Sequence, residues 1–286
     1  MAAVVAEVLE QGNALLRDSG SNTARLDAEV LLARALGASR ADLYSHPERP
    51  LTAEEVERYR SYLARRAQGE PVSYIRGTKE FFGLPFAVDR RVLVPRPETE
   101  VLVERALEGA RTMNQAGLRI ADIGTGSGCI AVALATHLPQ ARVYATDASA
   151  EALELAAQNV GRHGVQDRVL LFQGDLCAPL PEPVDLLVSN PPYTVWQSLP
   201  EGITAYEPRL ALDGGADGLD IYRRLLPQLP GHLRTGGMAF LEIGDGQEEA
   251  VPALAREALP GVPVQTWPDY SGWVRVIGMG PSDWRG

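Results

Sequence analysis

The segment 188–196, VSNPPYTVW, places hydrogen-bonding groups and rigid backbone at the end of an apolar run. A strand cannot continue through Pro191 and Pro192, because each proline lacks an N–H and fixes φ at about −65°. The chain therefore leaves the predicted sheet at Asn190. The Asn190 side chain and the Pro191 carbonyl are two acceptors that match the two N–H bonds of an –NH₂ group. Because Tyr193 could lie flat on the planar group that carries this –NH₂, the segment predicts a site for a planar amide or amine.

A glycine-rich stretch is the second candidate for ligand binding, ADIGTGSGCIAVALA at residues 121–135. Gly124, Gly126 and Gly128 stand between a predicted strand and a predicted helix, where the missing Cβ lets the backbone approach a ligand closely. The dinucleotide fingerprint requires glycine at its first, third and sixth positions, and the sixth position here is Cys129. A glycine-rich turn alone is a weak signal, so its spacing from acidic residues carries the interpretation.

Acidic residues follow the next two predicted strands. Asp147 comes about twenty residues after the glycines, where a carboxylate can accept the hydroxyl protons of a ribose; the competing interpretation is a cap for the following helix. Asp175 could accept from an adenine amino group, with Leu176 packed on the ring, or it could be an ordinary turn aspartate. Three successive strand ends would then bind parts of a nucleoside, and Asn190 follows the fourth.

The elements that must position these residues alternate between strand and helix from residue 119 onward. This pattern predicts an α/β, doubly wound, mostly parallel sheet with helices on both faces. The predicted strands cover residues 119–123, 141–146, 169–173, 184–189 and 237–243. The predicted helices cover about 128–138, 149–163, 217–232 and 247–259. Two last β runs, 262–267 and 273–279, predict an antiparallel hairpin at the sheet edge, for seven strands in total.

The front of the chain has a different pattern. Apolar residues recur at helical spacing up to about residue 68, and Thr52 with Glu55 forms a capping box for a helix that ends near residue 67. We therefore predict a helical domain at 1–75, which either stabilises the larger domain or docks a partner. The larger domain, 76–286, opens with a predicted linking β-hairpin at about 85–94, and PRPETE at 95–100 begins a helix.

Composition excludes several classes of protein. The 286 residues carry a net charge of −10 and a pI near 5.0, which disfavours stable binding to bulk nucleic acid. No apolar run is long enough for a transmembrane helix, so no membrane partner is expected. Glu7 and Glu10 lie within the apolar part of residues 1–20, which indicates a helix rather than a signal peptide.

The metal-binding residue types are scattered. Cys129 and Cys177 each lack a C-x-x-C partner, which predicts neither a disulfide framework nor a zinc site and favours a reducing cytoplasm. The four histidines show no ligand spacing. We therefore expect no metal.

The motifs taken together resemble a known family. DIGTGSG followed by NPPY resembles the S-adenosylmethionine-dependent methyltransferases that modify planar amino nitrogens. With PRPETE before the glycines and a helical domain in front, the whole chain resembles the glutamine N5-methyltransferases of peptide chain release factors. The resemblance implies a class I methyltransferase fold, S-adenosylmethionine as cofactor, and methylation of the glutamine in the Gly-Gly-Gln tripeptide of release factors.

The resemblance also implies roles for individual residues. Gly124, Thr125, Gly126, Ser127 and Gly128 match family cofactor positions, as do Asp147 and Asn190, while Asn190, Pro191, Pro192 and Tyr193 match the glutamine site. The family often has an aromatic residue where Leu176 stands, and a leucine can still cover one face of the adenine ring.

The chemistry explains why such a site is needed. A carboxamide nitrogen is a poor nucleophile because its lone pair is delocalised. As a hypothesis, Asn190 and Pro191 hold both N–H bonds, so that the lone pair points at the sulfonium methyl and the growing positive charge is stabilised.

Two other functions remain open. A nucleic-acid amino methyltransferase would share the site but need a basic reading region, and a non-catalytic nucleoside-binding module would leave NPPY without a role.

Overall fold

The structure of the protein is a computed structural model that describes residues 3–113 and 115–281. It contains two compact units. The N-terminal unit comprises the chain up to Thr78 together with Glu201–Tyr206, and the C-terminal unit comprises Lys79–Pro200 and the chain from Glu207 onward. The first boundary lies close to the predicted residue 75. The inclusion of Glu201–Tyr206 in the N-terminal unit was not predicted, because six residues carry no periodic pattern that ties them to a distant helix.

The N-terminal unit is helical, as predicted. Its helices are α1 (Val5–Asp18), α2 (Ala24–Leu36), α3 (Arg40–Ser45), α4 (Ala53–Ala67) and α5 (Val72–Arg76), and the short helix Glu201–Thr204 joins them. The capping box of α4 is confirmed: the Thr52 hydroxyl accepts from the Glu55 N–H, and the Glu55 carboxylate accepts from the Thr52 N–H. Leu16, Leu31 and Tyr59 are completely buried and form the centre of this unit's own core.

The predicted hairpin at 85–94 is wrong in position. The two-stranded sheet pairs β1 (Thr78–Phe81) with β2 (Leu84–Ala87), and the turn lies at Phe82 and Gly83, both with positive φ. Two left-handed residues suit the twist of a tight hairpin, and a glycine there costs little. Residues 88–94 form no strand, because Asp89 accepts the Arg91 N–H at 3.0 Å and bends the chain locally.

The C-terminal unit is an α/β structure, and the predicted mostly parallel, seven-stranded class is confirmed. The strands of the main sheet are β3 (Arg119–Ile123), β4 (Arg142–Asp147), β5 (Val169–Gln173), β6 (Val184–Ser189), β7 (Leu233–Glu242), β8 (Val264–Pro268) and β9 (Val274–Met279). Within the described residues the seven strands follow the order β5-β4-β3-β6-β7-β9-β8. β9 runs antiparallel to both β7 and β8, so the predicted hairpin of the last two strands at the sheet edge is confirmed.

The helices of this unit cover both faces of the sheet. They are α6 (Thr99–Thr112), α7 (Cys129–His137), α8 (Ala150–Arg162), α9 (Asp220–Leu225), α10 (Leu229–His232) and α11 (Ala250–Ala258), with 3₁₀ turns at Trp196–Ser198, Arg209–Ala211 and Leu226–Gln228. The predicted continuous helix 217–232 is wrong. Pro227 and Pro230 divide it, since a proline inside a helix removes a hydrogen bond and clashes with the preceding turn.

The chain reverses its direction of winding between β3 and β6. From β3 the sheet grows to β4 and β5, and the chain then returns to place β6 on the other side of β3. In the register of these two strands Ile123 lies opposite Ser189, so the next residues, Gly124 and Asn190, leave the sheet side by side. Such a reversal opens a crevice at the carboxyl ends of the strands, where ligands bind in open α/β sheets.

None of the helices formed by residues 3–113 and 115–281 has the length and apolar character to cross a membrane.

Candidate active site

A cavity of about 410 Å³ lies outside the carboxyl ends of β3, β4, β5 and β6. Its volume is in the range of small-molecule binding sites. The predicted site residues that line it are Gly124, Thr125, Gly126, Ser127, Asp147, Asp175, Leu176, Asn190 and Pro192. Gly128, Pro191 and Tyr193 do not line it. The structure therefore brings the four predicted strand ends together around one space.

The glycine turn between β3 and α7 has the backbone shape that its sequence predicts. Gly126 has φ of +55°, and a Cβ added to it would meet no protein atom within 4 Å, so its missing side chain leaves open space at the cavity wall. Gly128 has φ of +79°, and a Cβ there would lie 3.3 Å from that of Ala156. Gly126 thus keeps room for a ligand, and Gly128 lets α7 pack against α8.

Asp122 supports this turn from below. It is completely buried, and its Oδ2 accepts from the Thr125 hydroxyl at 2.6 Å and from the Ala131 N–H at 3.1 Å. Burial raises the pKa of Asp122 to about 7, against these two hydrogen bonds, which lower it. We infer that Asp122 has a structural role: its hydrogen bonds hold the turn in place.

Asp147 connects the second strand end to the same turn. Its Oδ2 accepts from the Gly126 N–H at 2.8 Å and its Oδ1 from the Ser149 N–H at 2.9 Å. Burial raises the pKa of Asp147 above its ordinary value, against these N–H groups, which lower it. Ser149, not Asp147, caps α8: its hydroxyl accepts from the Ala152 N–H at 3.1 Å. Each oxygen of Asp147 keeps an acceptor site for a ligand in the cavity.

The third strand end carries Asp175 and Leu176. Both oxygens of Asp175 accept from Arg224, at 2.7 and 2.6 Å, on an exposed part of the cavity rim. Leu176 has φ of +48°, and its carbonyl accepts from the Thr146 hydroxyl at 3.0 Å, which fixes this unusual backbone. The Asp175–Arg224 pair was not predicted, because the two residues are 49 positions apart.

The fourth strand end carries the NPPY segment. Asn190 lines the cavity, and its Nδ2 donates to the Thr99 hydroxyl at 3.1 Å. Pro191 is buried and Pro192 lines the cavity. The side-chain amide of Asn190 makes no further hydrogen bond within the described part of the chain, so its carbonyl oxygen remains an available acceptor.

Tyr193, the last residue of the NPPY segment, does not line the cavity. Its hydroxyl donates to Oε1 of Glu242 at 3.0 Å, and its backbone carbonyl accepts from Nε2 of Gln247 at 3.1 Å. A Cβ on Gly244 would lie 2.8 Å from the Tyr193 ring, so the ring packs directly on the chain just after β7. Burial raises the pKa of Tyr193 above its ordinary value, as does the Glu242 carboxylate. The tyrosine is held by β7 and is not on the cavity wall.

A partly buried ion pair supports another part of the cavity rim. Arg96 of PRPETE donates from one nitrogen to both carboxylate oxygens of Glu207, at 2.9 and 2.7 Å. Glu207 is buried, and this burial raises its pKa despite the arginine. The residues that follow it, 208–211, line the cavity together with Arg96. The pair therefore fixes the segment that forms this side of the site.

Comparison with known proteins gives the family. Residues 7–77 match the family model described as PrmC N-terminal domain, and residues 99–205 match the methyltransferase small domain. The chain is 47% identical over 251 residues to the release factor glutamine methyltransferase of Geobacter sulfurreducens, covering 86% of each chain. It is 48% identical over 261 residues to that of Moorella thermoacetica, covering 90% of this chain and 91% of the relative.

The chain belongs to the release factor glutamine methyltransferase family. It is a methyltransferase, and the family and the fold imply the use of S-adenosylmethionine. The predicted family resemblance is confirmed.

Solved structures support the same fold. A methyltransferase from Pyrococcus furiosus aligns with a TM-score of 0.53 at 20% identity, covering 77% of this chain and 98% of that one. The hMettl16 catalytic domain, solved in complex with the MAT2A 3′UTR hairpin 6, aligns with a TM-score of 0.54 at 20% identity, covering 78% and 83%. At this level of identity the likeness concerns the fold.

Several residues of this site were absent from the sequence-based prediction. Thr99, Glu207, Glu242 and Gln247 all bond to residues that line or adjoin the cavity. Thr99 lies in PRPETE and Gln247 in the glycine-containing LEIGDGQ, so both motifs were visible, but neither has a spacing that specifies its partner. Among the described residues no group of histidine, cysteine and acidic side chains could hold a metal ion.

Proposed function

We propose that this methyltransferase transfers a methyl group from S-adenosylmethionine to the side-chain amide nitrogen, N5, of the glutamine in the Gly-Gly-Gln tripeptide of peptide chain release factors. The observation that carries the proposal is the position of Asn190. It leaves the sheet beside Gly124 at the reversal between β3 and β6, and its amide oxygen is free for an incoming N–H. The names of the curated relatives support the same substrate class.

The residues around the cavity fit the cofactor. Gly126 leaves open space in which a methyl donor can contact the turn backbone, and Asp147 presents two acceptor oxygens to a ribose. Leu176 offers an apolar surface to the adenine, and Asp175 offers an acceptor for its amino group. Thr125 and Ser127 are buried parts of the turn. When bound, the cofactor supplies an electrophilic methyl group on a sulfonium.

The chain's own groups then act on the glutamine amide. The Asn190 carbonyl oxygen accepts one of its N–H bonds, and the backbone carbonyl of Pro191, which lies between the lining residues Asn190 and Pro192, accepts the other. This orients the nitrogen lone pair toward the methyl carbon. As the new N–C bond forms, positive charge grows on the nitrogen, and these two fixed dipoles stabilise it. Pro192 keeps the loop rigid. The bond from sulfur to the methyl carbon breaks as the N–C bond forms, which leaves a neutral thioether, and the proton then leaves the nitrogen for solvent.

Asp147→Ala is expected to weaken S-adenosylmethionine binding by about 1–3 kcal/mol, the cost of losing hydrogen bonds to a charged acceptor. Calorimetry would measure the binding with the natural cofactor and with an analogue that lacks both ribose hydroxyls. If Asp147 binds the ribose, the analogue binds wild type more weakly, but the variant discriminates little between the two ligands. Equal discrimination by both proteins would assign Asp147 to the turn alone, through Gly126 and Ser149.

A substrate panel tests the proposed function. Purified protein is incubated with methyl-labelled S-adenosylmethionine and, separately, with intact release factor, duplex DNA, structured RNA and a protein without Gly-Gly-Gln. Labelling only of the release factor is the expected result. Labelling of nucleic acid without release factor would contradict the proposal and favour an amino methyltransferase for bases.

We further propose that the N-terminal unit docks the release factor. Leu15 and Leu26 are 43% and 45% exposed on this unit, and exposed leucines can be buried on binding a protein. Leu15→Ser combined with Leu26→Ser is expected to raise KM for intact release factor by about tenfold, equivalent to ~1.4 kcal/mol, and to leave KM for a short Gly-Gly-Gln peptide unchanged. An unchanged KM for the intact factor would leave these leucines with no docking role.

The free thiols of Cys129 and Cys177 are consistent with a proposed cytoplasmic location.

A further inference from the structure

A buried carboxylate lies behind the NPPY segment and is not used by the proposed chemistry. Glu242, the last residue of β7, is completely buried, and Tyr193 donates to its Oε1 at 3.0 Å. Interaction with the Thr99 hydroxyl lowers the pKa of this carboxylate. Oε2 of Glu242 is buried and has no hydrogen-bond partner among the described residues. A buried, incompletely paired carboxylate costs stability, so its position calls for a functional reason.

The direction of the hydrogen bonds connects this carboxylate to Asn190. An ionised carboxylate only accepts, so the Thr99 hydroxyl can interact favourably with Glu242 only through its single proton. The Thr99 oxygen then presents a lone pair, which accepts from Nδ2 of Asn190 at 3.1 Å. With its nitrogen held in this way, the Asn190 amide has one orientation, in which the carbonyl oxygen is the free group. A protonated Glu242 would remove this preference.

The loop after β7 holds the Tyr193 end of the NPPY segment. Gln247 donates to the carbonyls of Tyr193 and Gly218, both at 3.1 Å, and accepts from the Gly244 N–H at 2.9 Å. The backbone carbonyl of Glu242 accepts from the Tyr222 hydroxyl at 2.7 Å. Glu242 therefore lies in a hydrogen-bonded frame and contacts the Tyr193 end of the NPPY segment directly.

We propose that Glu242 is a positioning residue for methyl transfer: its carboxylate fixes Tyr193 directly and Asn190 through Thr99, so that the Asn190 carbonyl oxygen accepts from the substrate amide. This proposal rests on the proposed function of the NPPY segment. It assigns no contact between Glu242 and the substrate or the cofactor.

The protonation state of Glu242 then determines how well Thr99 and Asn190 are ordered. Burial raises the pKa of Glu242 to about 7, against Thr99, Tyr193 and the charge of Arg275, which lower it, while the charge of Glu98 raises it. Tyr222, the other titratable side chain that faces it, has a pKa far above this range. We expect kcat of wild type to fall as the pH drops through about 7, because the protonated carboxyl no longer orders Thr99 and Asn190.

Two variants test the proposal in the full-length protein. Glu242→Gln keeps the size of the side chain but offers one acceptor and one donor group, and Thr99→Val removes the bridging hydroxyl. Glu242→Gln is expected to lower kcat by about tenfold or more, to leave the Kd of S-adenosylmethionine unchanged, and to reduce the pH dependence of kcat near 7, of which the titration of Asp122 can account for the remainder. Thr99→Val in the Glu242→Gln background should add little further loss, since both act through one chain of bonds.

The melting temperature of Glu242→Gln distinguishes a positioning role of Glu242 from a role in folding. Because the folded-state pKa of Glu242 lies above its unfolded value, ionisation of this group disfavours the folded state as the pH rises through about 7. Glu242→Gln avoids this cost, so its melting temperature at pH 8 should equal or exceed that of wild type. A lower melting temperature, with an activity loss that follows the unfolded fraction, would overturn the proposal.

A readout without turnover keeps the proposal testable even if the methylation substrate is different. The ¹⁵N side-chain amide signal of Asn190, assigned by its absence in Asn190→Ala, is expected to titrate with a midpoint near pH 7 in wild type and to be independent of pH in Glu242→Gln. Failure of wild type to methylate release factor would refute the proposed function alone. An Asn190 signal that does not titrate in wild type, or titrates equally in both proteins, would overturn the role of Glu242.

Discussion

Replacing Asn190 with alanine is expected to reduce the rate of methyl transfer by roughly 10²–10³, by analogy with the loss of one preorganised group in an oxyanion hole. The variant removes the amide oxygen that is free in the cavity, and it leaves the glycine turn and Asp147 unchanged. Single-turnover measurements on a release factor would give the rate of the chemical step.

Cofactor binding is the control for this variant. Asn190→Ala should bind S-adenosylmethionine within about tenfold of wild type, or roughly 1.4 kcal/mol, because most proposed cofactor contacts come from the other strand ends. A wild-type rate of transfer in Asn190→Ala would refute the role of the amide oxygen. Loss of cofactor binding in parallel with the rate would instead assign Asn190 mainly to the cofactor.

Gly126→Val is expected to weaken S-adenosylmethionine binding by at least ~100-fold, about 2.7 kcal/mol. The new side chain would project into the open space of the cavity, where a ligand contacts the turn, and it would sit on a backbone with φ of +55°. A β-branched residue is strained in this conformation, so some loss of stability will accompany the loss of binding.

Gly164→Val is the matched control for this strain. Gly164 follows α8 with φ of +66°, it also has no protein atom within 4 Å of an added Cβ, and it does not line the cavity. Both variants should therefore lose similar thermal stability, while only Gly126→Val loses cofactor binding. Equal cofactor affinities of the two variants, measured by calorimetry, would show that the glycine turn does not contact the cofactor.

The main sheet was largely predictable from the sequence because its signals are local. Buried runs such as VDLLVS at 184–189 read as central strands, and the residues at their carboxyl ends must meet at one edge of a parallel sheet. This reasoning placed Gly124, Asp147 and Asn190 around one space, as the structure shows. Their individual roles in binding and catalysis stay predictions.

The errors have local physical causes of their own. The hairpin was assigned to 85–94 from its β-type residues, but the turn forms at Phe82–Gly83, where glycine accepts a positive φ at low cost. The predicted helix 217–232 contains two prolines, Pro227 and Pro230, and the structure is divided there. Turn chemistry decides the first case and the prolines decide the second.

The hydrogen bonds that hold the NPPY segment in place could not be predicted, because they join residues that are distant in the sequence. Thr99 is 91 positions from Asn190, and Tyr193 is 49 positions from Glu242. A glutamate at the end of a buried strand reads as the point where the strand reaches solvent, whereas Glu242 is completely buried. Only the packing of β7 behind NPPY shows that the carboxylate belongs to the site.

The most direct test of the proposed function is to locate the transferred methyl group. A release factor is incubated with the purified protein and S-adenosylmethionine, and its peptides are then sequenced by mass spectrometry beside a factor in which the glutamine of Gly-Gly-Gln is replaced by alanine. We predict one methyl group on the side-chain amide of that glutamine and none on the substituted factor. Methylation elsewhere on the factor, or equal methylation of both factors, would contradict the account.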